Sequence, residues 1–302
     1  MKNVFILNPI AGAKEQHMKV LSVLKAYYSK FGGKYSYNIT QGSLDATEIA
    51  RYYANKGEEV SIFAGGGDGT LCEVVNGIVG YDNAYLGIIP YGSGNDFVKM
   101  FESSEPFLDI KAQNEGQILP IDIMKCNDKY SINISSIGLD ADVAYYMSRY
   151  RNFWKKSSYM ISIIECMLRK IGVEAKITID DQIVIKQKLL LALSANGRYY
   201  GNGFNGAPNA NISDGLLDFL VVDKISRLKI ASFIGKYKKG EHEKLMRLMK
   251  VHRGHKMKIE SKHEFVLNRD GECEFTRKAT IQIIPKAIKL IVPNGAVLRQ
   301  SM

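Results

Sequence analysis

Three glycine-bearing turns near the start of the chain have the composition to hold an anion: "NPIAG" at residues 8–12, "GGGDGT" at 65–70 and "PYGSGND" at 90–96. Each ends a strand-like apolar run and opens a segment with helical spacing. A helix start offers unpaired backbone N–H groups and the positive end of the helix dipole, and glycines let a phosphate reach them. Asp68 and Asp96 stand in two of these turns, and Asp122 follows in "PIDI". Magnesium takes carboxylate and phosphate oxygens, so this grouping points to a metal-nucleotide site, although aspartate also suits turns and helix N-caps. Thr70 and Glu73 have the spacing of a capping box, which predicts an abrupt helix start after the middle turn. Neither a G-x-x-x-x-G-K-[ST] loop nor a G-x-G-x-x-G site with its acidic ribose partner occurs.

The elements that must position these turns follow a βα rhythm. "NVFILN", "YSYNIT", "EEVSIFAG" and "YLGIIP" read as strands. Helical periodicity follows at Met18, Leu21, Leu24 and Tyr28, around residues 46–56, and at Leu71, Val74, Val75 and Ile78; "DFVKMF" begins another helix. Such alternation predicts a parallel, Rossmann-like sheet whose strand ends share one edge, so the three turns converge on one crevice. From Ile121 onward strand follows strand: "PIDIMKC", "KYSINIS", "EAKITID", "QIVIKQKLLLALSA", "LLDFLVV", "KMKIES", "EFVLN", "ECEF", "TIQIIP" and "AIKLIVP". Helical stretches are expected only near residues 154–171 and 226–250. The expected organisation is an α/β domain over 1–122 and a mainly antiparallel β-sandwich domain over 123–302, with the extreme C-terminus free to pack back on the first.

Composition narrows the classes. The chain has 302 residues and a net charge of +10, which favours anionic partners without choosing among nucleic acid, lipid surface and phosphorylated small molecule. Cys72, Cys126, Cys166 and Cys273 are scattered, which argues against a disulfide framework or zinc finger and suits a cytoplasmic location. The N-terminus lacks a signal-peptide pattern, and no apolar run reaches the ~18 residues of a membrane span. His17, His242, His252, His255 and His263 form no H-E-x-x-H pair and no triad with a G-x-S-x-G serine; His252 and His255 in "VHRGHK" read as a basic loop. The stretch "YRNFWKKSSYMISIIECMLRKI" places apolar residues on one helical stripe with lysines and arginines flanking it. It reads either as a core helix with a basic edge or as a contact to an anionic membrane. "GKYKKGEHEKLMRLMKVHRGHK" adds positive charge and reads as a solvated helix. Asp270-Gly271 is a type I′ hairpin signal, which by itself makes Glu272 an ordinary edge residue.

"NPIAG", "GGGDGTLCEVVNG", "PYGSGNDF", "PNANISDGLLDF" and "RDGE", in this order, resemble the soluble bacterial lipid kinases with a diacylglycerol kinase catalytic domain, relatives of sphingosine and ceramide kinases. "GGDGT" alone is shared with NAD kinases and, more loosely, phosphofructokinases; the later motifs separate the chain from both. The resemblance implies ATP in a cleft between an α/β and a β-sandwich domain. It implies nucleotide contacts at Asn8, Pro9, Ile10, Ala11, Gly12, Thr40 in "NITQG", Gly66, Gly67, Asp68, Gly69, Thr70, Ser93 and Asn95, with Lys14 balancing phosphate charge. Asp68, Asp96 and Asp122 would form a network around Mg2+-bound phosphates, and Glu272 would be the general base. Asn211, Asp214 and Leu216 would hold a second, structural magnesium. Two positions depart from the family: Cys72 where asparagine is common, which loses an amide, and Ser93 where threonine is common, which keeps the hydroxyl.

The resulting expectation is an ATP- and Mg2+-dependent phosphotransferase acting on a lipid hydroxyl, with diacylglycerol converted to phosphatidic acid. It would be cytoplasmic, meet the anionic inner face of the membrane peripherally, bind no nucleic acid, and have the option of a homodimer. The rivals are a kinase of a sphingoid base or other lipid or polyol alcohol, a non-catalytic nucleotide- or lipid-binding regulator, and a nucleic-acid-binding protein. Retention of Asp68, Asp96 and Glu272 argues against the regulator, and the lack of an RNA-binding or helix-turn-helix pattern argues against the last.

Overall fold

A computed structural model describes residues 1–150, 162, 165–166 and 171–300. The chain divides into two compact units, Met1–Ile123 with Pro285–Gln300, and Met124–Ile284. The helix expected over 154–171 lies outside the described residues apart from Ser162, Glu165, Cys166 and Ile171.

The first unit runs β1 (Lys2–Leu7), α1 (Gln16–Phe31), β2 (Tyr35–Ile39), α2 (Asp45–Ala54), β3 (Val60–Gly66), α3 (Asp68–Ile78) and β4 (Ala84–Pro90). Two 3-10 turns, Phe97–Met100 and Glu105–Leu108, then lead to α4 (Ile110–Asn114) and β5 (Gln117–Cys126), which passes into the second unit. β1 pairs in parallel with both β2 and β3, and β3 pairs in parallel with β4. The order β2-β1-β3-β4 reverses direction between β1 and β3, and a crevice outside the strand ends at such a switch point is where open α/β sheets bind ligands. β3 is buried along its whole length, which explains its unbroken apolar character. α1 buries Val20, Leu21, Leu24 and Tyr28, whereas Met18, expected on that stripe, is exposed. α3 buries Leu71, Val74, Val75 and Ile78 as the periodicity requires.

The helix after the middle turn starts earlier than the capping-box spacing implies. α3 begins at Asp68 with Gly67 as its N-cap, so Thr70 lies inside the helix and cannot cap it. Glu73 serves a neighbour instead: its Oε2 accepts the Ala46 N–H at 3.2 Å in the first turn of α2, whose N-cap Leu44 has no polar side chain to offer. α2 and α3 pack closely because Gly77 faces Thr47 and Ala50; a Cβ at Gly77 would lie 2.6 Å from the Thr47 oxygen. The helix expected from "DFVKMF" shrinks to the single 3-10 turn Phe97–Met100.

The second unit continues β6 (Lys129–Ser131), β7 (Ile134–Gly138), α5 (Leu139–Tyr150), β8 (Val173–Ile179), β9 (Ile183–Ala195), β10 (Tyr199–Tyr200) and β11 (Phe204–Asn205). After these come β12 (Leu217–Asp223), α6 (Arg227–Lys238), a 3-10 turn at His242–Leu245, β13 (Met249–Gly254), β14 (Lys256–Arg269) and β15 (Glu272–Val292). β9 pairs antiparallel with β7, β8 and β12, while β14 pairs antiparallel with β7, β8 and β15. Residues 189–195 are buried throughout because both faces of β9 are covered. Leu189 and Ala192 join a core with Phe219 and Leu267, and Leu190 and Leu193 join one with Ile230, Phe233 and Tyr237.

Several expected boundaries move. "KMKIES" and "EFVLN" form one strand, β14, with a register shift between Glu260 and Phe265. The three segments from "ECEF" to "AIKLIVP" fuse into β15, whose residues 285–292 belong to the first unit and pair there in parallel with β4. "KYSINIS" splits into β6 and β7, α5 arises where no helix is expected, and "VHRG" is strand β13 rather than a loop.

Gly77→Val should lower the thermal midpoint by several degrees, since overpacking a tight helix contact costs about 1–3 kcal/mol. Gly235→Ala, where a Cβ meets nothing within 4 Å in α6, should raise it slightly, by the ~0.5–1 kcal/mol of glycine's entropy. Differential scanning calorimetry of the two variants checks both signs.

Candidate active site

In the first unit the loops after β1, β3 and β4 are knitted together by backbone contacts that only glycine permits. The Gly66 oxygen accepts the N–H of both Tyr91 (3.0 Å) and Gly92 (2.9 Å). A Cβ at Gly92 would fall 2.3 Å from the Gly67 Cα, and one at Gly12, where φ is +68°, would fall 1.9 Å from the Tyr91 oxygen. Asn8 joins the first and second loops: its backbone N–H donates to the Gly65 oxygen at 2.9 Å and its Nδ2 to Thr70 Oγ1 at 3.0 Å. Asn8 Oδ1 accepts the Ile10 N–H at 3.1 Å, shaping Pro9, Ile10 and Ala11 into a turn, and the Tyr91 hydroxyl donates to the Asn8 oxygen at 3.1 Å. Burial raises the Tyr91 phenol well above its usual value, so it remains a neutral donor.

The acidic residues divide. Asp68 Oδ1 accepts the Asp96 N–H at 2.7 Å, and Asp96 Oδ1 holds Lys99 at 2.6 Å. The second oxygens of both carboxylates lie close to one point, the place of a Cβ on Gly94, at 2.4 Å from Asp68 and 3.6 Å from Asp96. Two hard oxygen donors so disposed, at the N-terminus of α3, fit a divalent cation that also takes phosphate oxygens. Asp122 is buried on β5, where its Oδ1 accepts the Lys286 N–H at 2.8 Å. Asn95, at φ 51°, donates to the oxygens of Pro90 and Gly92, while its buried Oδ1 has no hydrogen-bond partner in the protein. Thr40 is buried with its N–H on the Leu7 oxygen, at the same strand edge, and Lys14, Gly69 and Ser93 are exposed. Cys72 is buried, and its sulfur and carbonyl oxygen both accept from Asn76 Nδ2. Of the three turns, only "GGGDGT" leads directly into an α-helix; α1 starts at Gln16, beyond "NPIAG".

In the second unit Asp270 and Gly271, at φ 47° and 94°, form the expected two-residue hairpin between β14 and β15. Sequence reasoning missed what holds it. The Asp270 carboxylate accepts the backbone N–H groups of Ile132 (2.7 Å), Asn133 (3.2 Å) and Ile134 (2.8 Å) and the Ser131 hydroxyl (2.9 Å). Asn268 Oδ1 accepts the Gly271 N–H at 2.9 Å, and the buried Arg269 pairs with Glu274 at 2.7 Å. Glu272, next along the tip, is partly exposed and lies 3.9 Å from Lys129 Nζ. Burial pushes the neighbouring Cys273 thiol up to about 12, so it stays protonated and is no nucleophile.

The "NISDGLLDF" residues are arranged otherwise than a magnesium site requires. Asn211 Oδ1 accepts from the backbone and hydroxyl of Ser213, and Asp214 Oδ1 accepts the Leu216 N–H at 3.1 Å. The other Asp214 oxygen is paired with Arg253, whose Nε donates to Asp218 Oδ1 at 2.9 Å. A guanidinium supplies the positive charge here, so the set does not fit a divalent cation as it stands. Among the described residues no group of three or more His, Cys, Asp or Glu side chains could hold a metal.

With this geometry in view, residues 2–126 match the diacylglycerol kinase catalytic domain and residues 133–292 match the YegS C-terminal NAD kinase beta sandwich-like domain. Together they define a phosphotransferase with an alcohol group as acceptor. The chain belongs to the diacylglycerol kinase family that joins these two domains. It is 30% identical over 293 residues to a diacylglycerol kinase of Staphylococcus carnosus, covering 96% of this chain and 94% of that one. It is 29% identical to one from Staphylococcus aureus, covering 97% and 92%. A crystal structure from Bacillus anthracis str. Sterne superposes with a TM-score of 0.78 at 26% identity, covering 97% of this chain and 95% of its own. The crystal structure of a diacylglycerol kinase from the same organism, at 24% identity and TM-score 0.71, shares the fold. No described helix is long and apolar enough to cross a membrane.

Two stability predictions follow from the second unit. Asp270→Ala strands three backbone N–H groups and should cost about 3 kcal/mol, read as a fall of several degrees in the thermal midpoint. Burial, and then the Asp140 charge, push the Asp142 carboxyl up to about 6 from the usual 3.8. Between those values the folded chain keeps a proton that the unfolded chain has released, so this group's contribution to stability falls as pH rises through the window. Asp142→Asn should therefore match the wild type at pH values below ~3.8 and exceed it by about 2–3 kcal/mol at neutral pH. Midpoints measured across that range check the sign.

Proposed function

We propose that the protein transfers the γ-phosphate of ATP to a lipid hydroxyl in a magnesium-dependent reaction, with diacylglycerol converted to phosphatidic acid as the favoured case. The observation that carries this reading is the meeting of Asp68 and Asp96 over Gly94, at the start of α3 and beside the glycine-only contacts of Gly12, Gly67 and Gly92. In this reading residues 1–122 are a Rossmann-like nucleotide domain and 123–302 the acceptor domain, with the C-terminal segment returning to the first. The names of the staphylococcal relatives support diacylglycerol over a sphingoid base or polyol.

Backbone N–H groups of Gly67, Gly69 and Thr70 at the α3 start would receive phosphate oxygens. Asn8 holds Thr70 and shapes residues 9–11, the unpartnered Asn95 Oδ1 accepts a donor from the nucleotide, and Lys14 and Ser93 reach it from exposed loops. Thr40 sits at the same edge. Asp68 and Asp96 would hold Mg2+, which when bound neutralises charge on the phosphates. Asp122 steadies β5 by accepting the Lys286 N–H. In the second unit Glu272 takes the hydroxyl proton as the acceptor oxygen forms its bond to the γ-phosphorus. The bond from that phosphorus to the bridging oxygen breaks, and ADP leaves with the electron pair. A cytoplasmic site at the inner membrane face, and the option of a homodimer, belong to the same reading.

Labelled ATP, Mg2+ and a panel of lipid alcohols in mixed micelles test it. Wild type should label diacylglycerol, Glu272→Gln should lose about 100- to 10,000-fold in kcat while still binding ATP, and Asp68→Ala should lose activity with weakened Mg2+ dependence. No labelled lipid from wild type would sink the kinase reading; full activity in Glu272→Gln would sink only the base.

A further inference from the structure

The positive charge of this chain is not spread over it. Residues 224–250 carry nine lysines and arginines against Glu241 and Glu243, a net +7 out of +10 for all 302 residues. The other 275 residues are almost balanced, so one short segment accounts for most of the field. All nine cationic side chains are exposed, and the ion pair closing on this segment from within is Lys244 with Glu241 at 2.8 Å.

The fold gives the segment a fixed outward face. Ile230, Phe233 and Tyr237 of α6, then Leu245 and Met249, are buried in one core of the second unit, which leaves Lys229, Lys236 and Lys239 pointing to solvent. Leu228, between Arg227 and Lys229, is 93% exposed, and Met246 beside Arg247 is 56% exposed. A solvated helix on an ordinary surface mixes both signs of charge, whereas here one sign dominates and large apolar side chains stand among the cations.

We propose that the outer face of α6 and the turn that follows it is a docking surface for an anionic lipid bilayer. Clusters of four to eight lysines and arginines draw a protein to such a surface, and Leu228 and Met246 can enter the boundary between headgroups and acyl chains. Nucleic acid, the other large polyanion, is the poorer fit. Single strands are held by bases stacking on aromatic side chains, and the aromatic residues of this segment, Phe233 and Tyr237, are turned into the core. The proposal rests on the lipid-acceptor reading for its purpose: a soluble catalyst gains by being held where a water-insoluble alcohol resides.

Co-sedimentation with vesicles of phosphatidylcholine, with and without phosphatidylglycerol, tests it. Wild type should pellet with the phosphatidylglycerol vesicles alone and be released by salt. The triple variant Lys229→Gln, Lys236→Gln, Lys239→Gln should bind about 100-fold more weakly, at roughly fivefold per charge removed, with an unchanged thermal midpoint. Leu228→Ser should weaken binding without altering its salt dependence. The triple variant should phosphorylate a dissolved short-chain diacylglycerol like the wild type and lose activity only on vesicles. Wild type that fails to bind anionic vesicles, a triple variant that binds as tightly, or preferential transfer of the protein to an added oligonucleotide each overturns the surface. Vesicle binding without phosphorylation of any lipid alcohol leaves the surface standing and removes the kinase reading.

Discussion

Two backbones in the first unit approach more closely than any side chain would allow. Gly66 offers one carbonyl to two successive N–H groups of the loop after β4, and Gly92 lies against the Gly67 Cα. This contact sets the separation of the loops that follow β3 and β4, and through it the meeting of Asp68 with Asp96. Gly12 applies the same constraint from the loop after β1, pressed on the Tyr91 carbonyl at a positive φ. The entropy that glycine surrenders on folding is offset by hydrogen bonds that a bulkier residue could not form. The parallel order β2-β1-β3-β4 brings these loops to one edge, and their glycines let them close on one another.

The second unit solves a different problem, how to hold a carboxylate steadily at the tip of a long hairpin. A two-residue turn with both φ values positive is rigid, but it is free to pivot unless tied down. Asp270 ties it by collecting consecutive N–H groups of residues 132–134 on one carboxylate, and Asn268 and Arg269 secure it from the strand before. Glu272 thus stands on a fixed base although its own side chain is partly exposed. Arg253 plays a comparable part near Asp214 and Asp218, where an arginine of β13 joins two acidic side chains four positions apart.

Much of the candidate site's local geometry was legible because its signals are local. Glycine density, the Asp-Gly turn and the i, i+3, i+4 stripe of α3 all express backbone and helix geometry within a few residues. Where a partner lies far along the chain, spacing misled. Thr70 and Glu73 have the form of a capping box, yet Thr70 is claimed by Asn8, 62 positions away, and Glu73 by α2. Met18 fits the helical stripe and remains in solvent because Val20 takes the buried place. α5 went unread because it begins at Leu139 directly after β7 ends at Gly138, with no loop residues to mark the change. The continuity of β14 and β15 was hidden because polar stretches such as residues 261–264 interrupt the apolar pattern without ending the strand.

The sequence by itself displayed the glycine turns and acidic residues proposed to meet a phosphate, and the motifs that place the chain among the diacylglycerol kinases. These depend on residue type and short-range spacing, which a linear chain displays. Only the tertiary structure decided that Asp68 and Asp96 approach one point while Asp122 answers to Lys286, that Asp214 is claimed by Arg253, and that the lysines and arginines of residues 224–250 are all exposed. Those outcomes turn on which of several competing polar partners arrives first in space. Burial and strand order decide that, and neither can be counted along the chain.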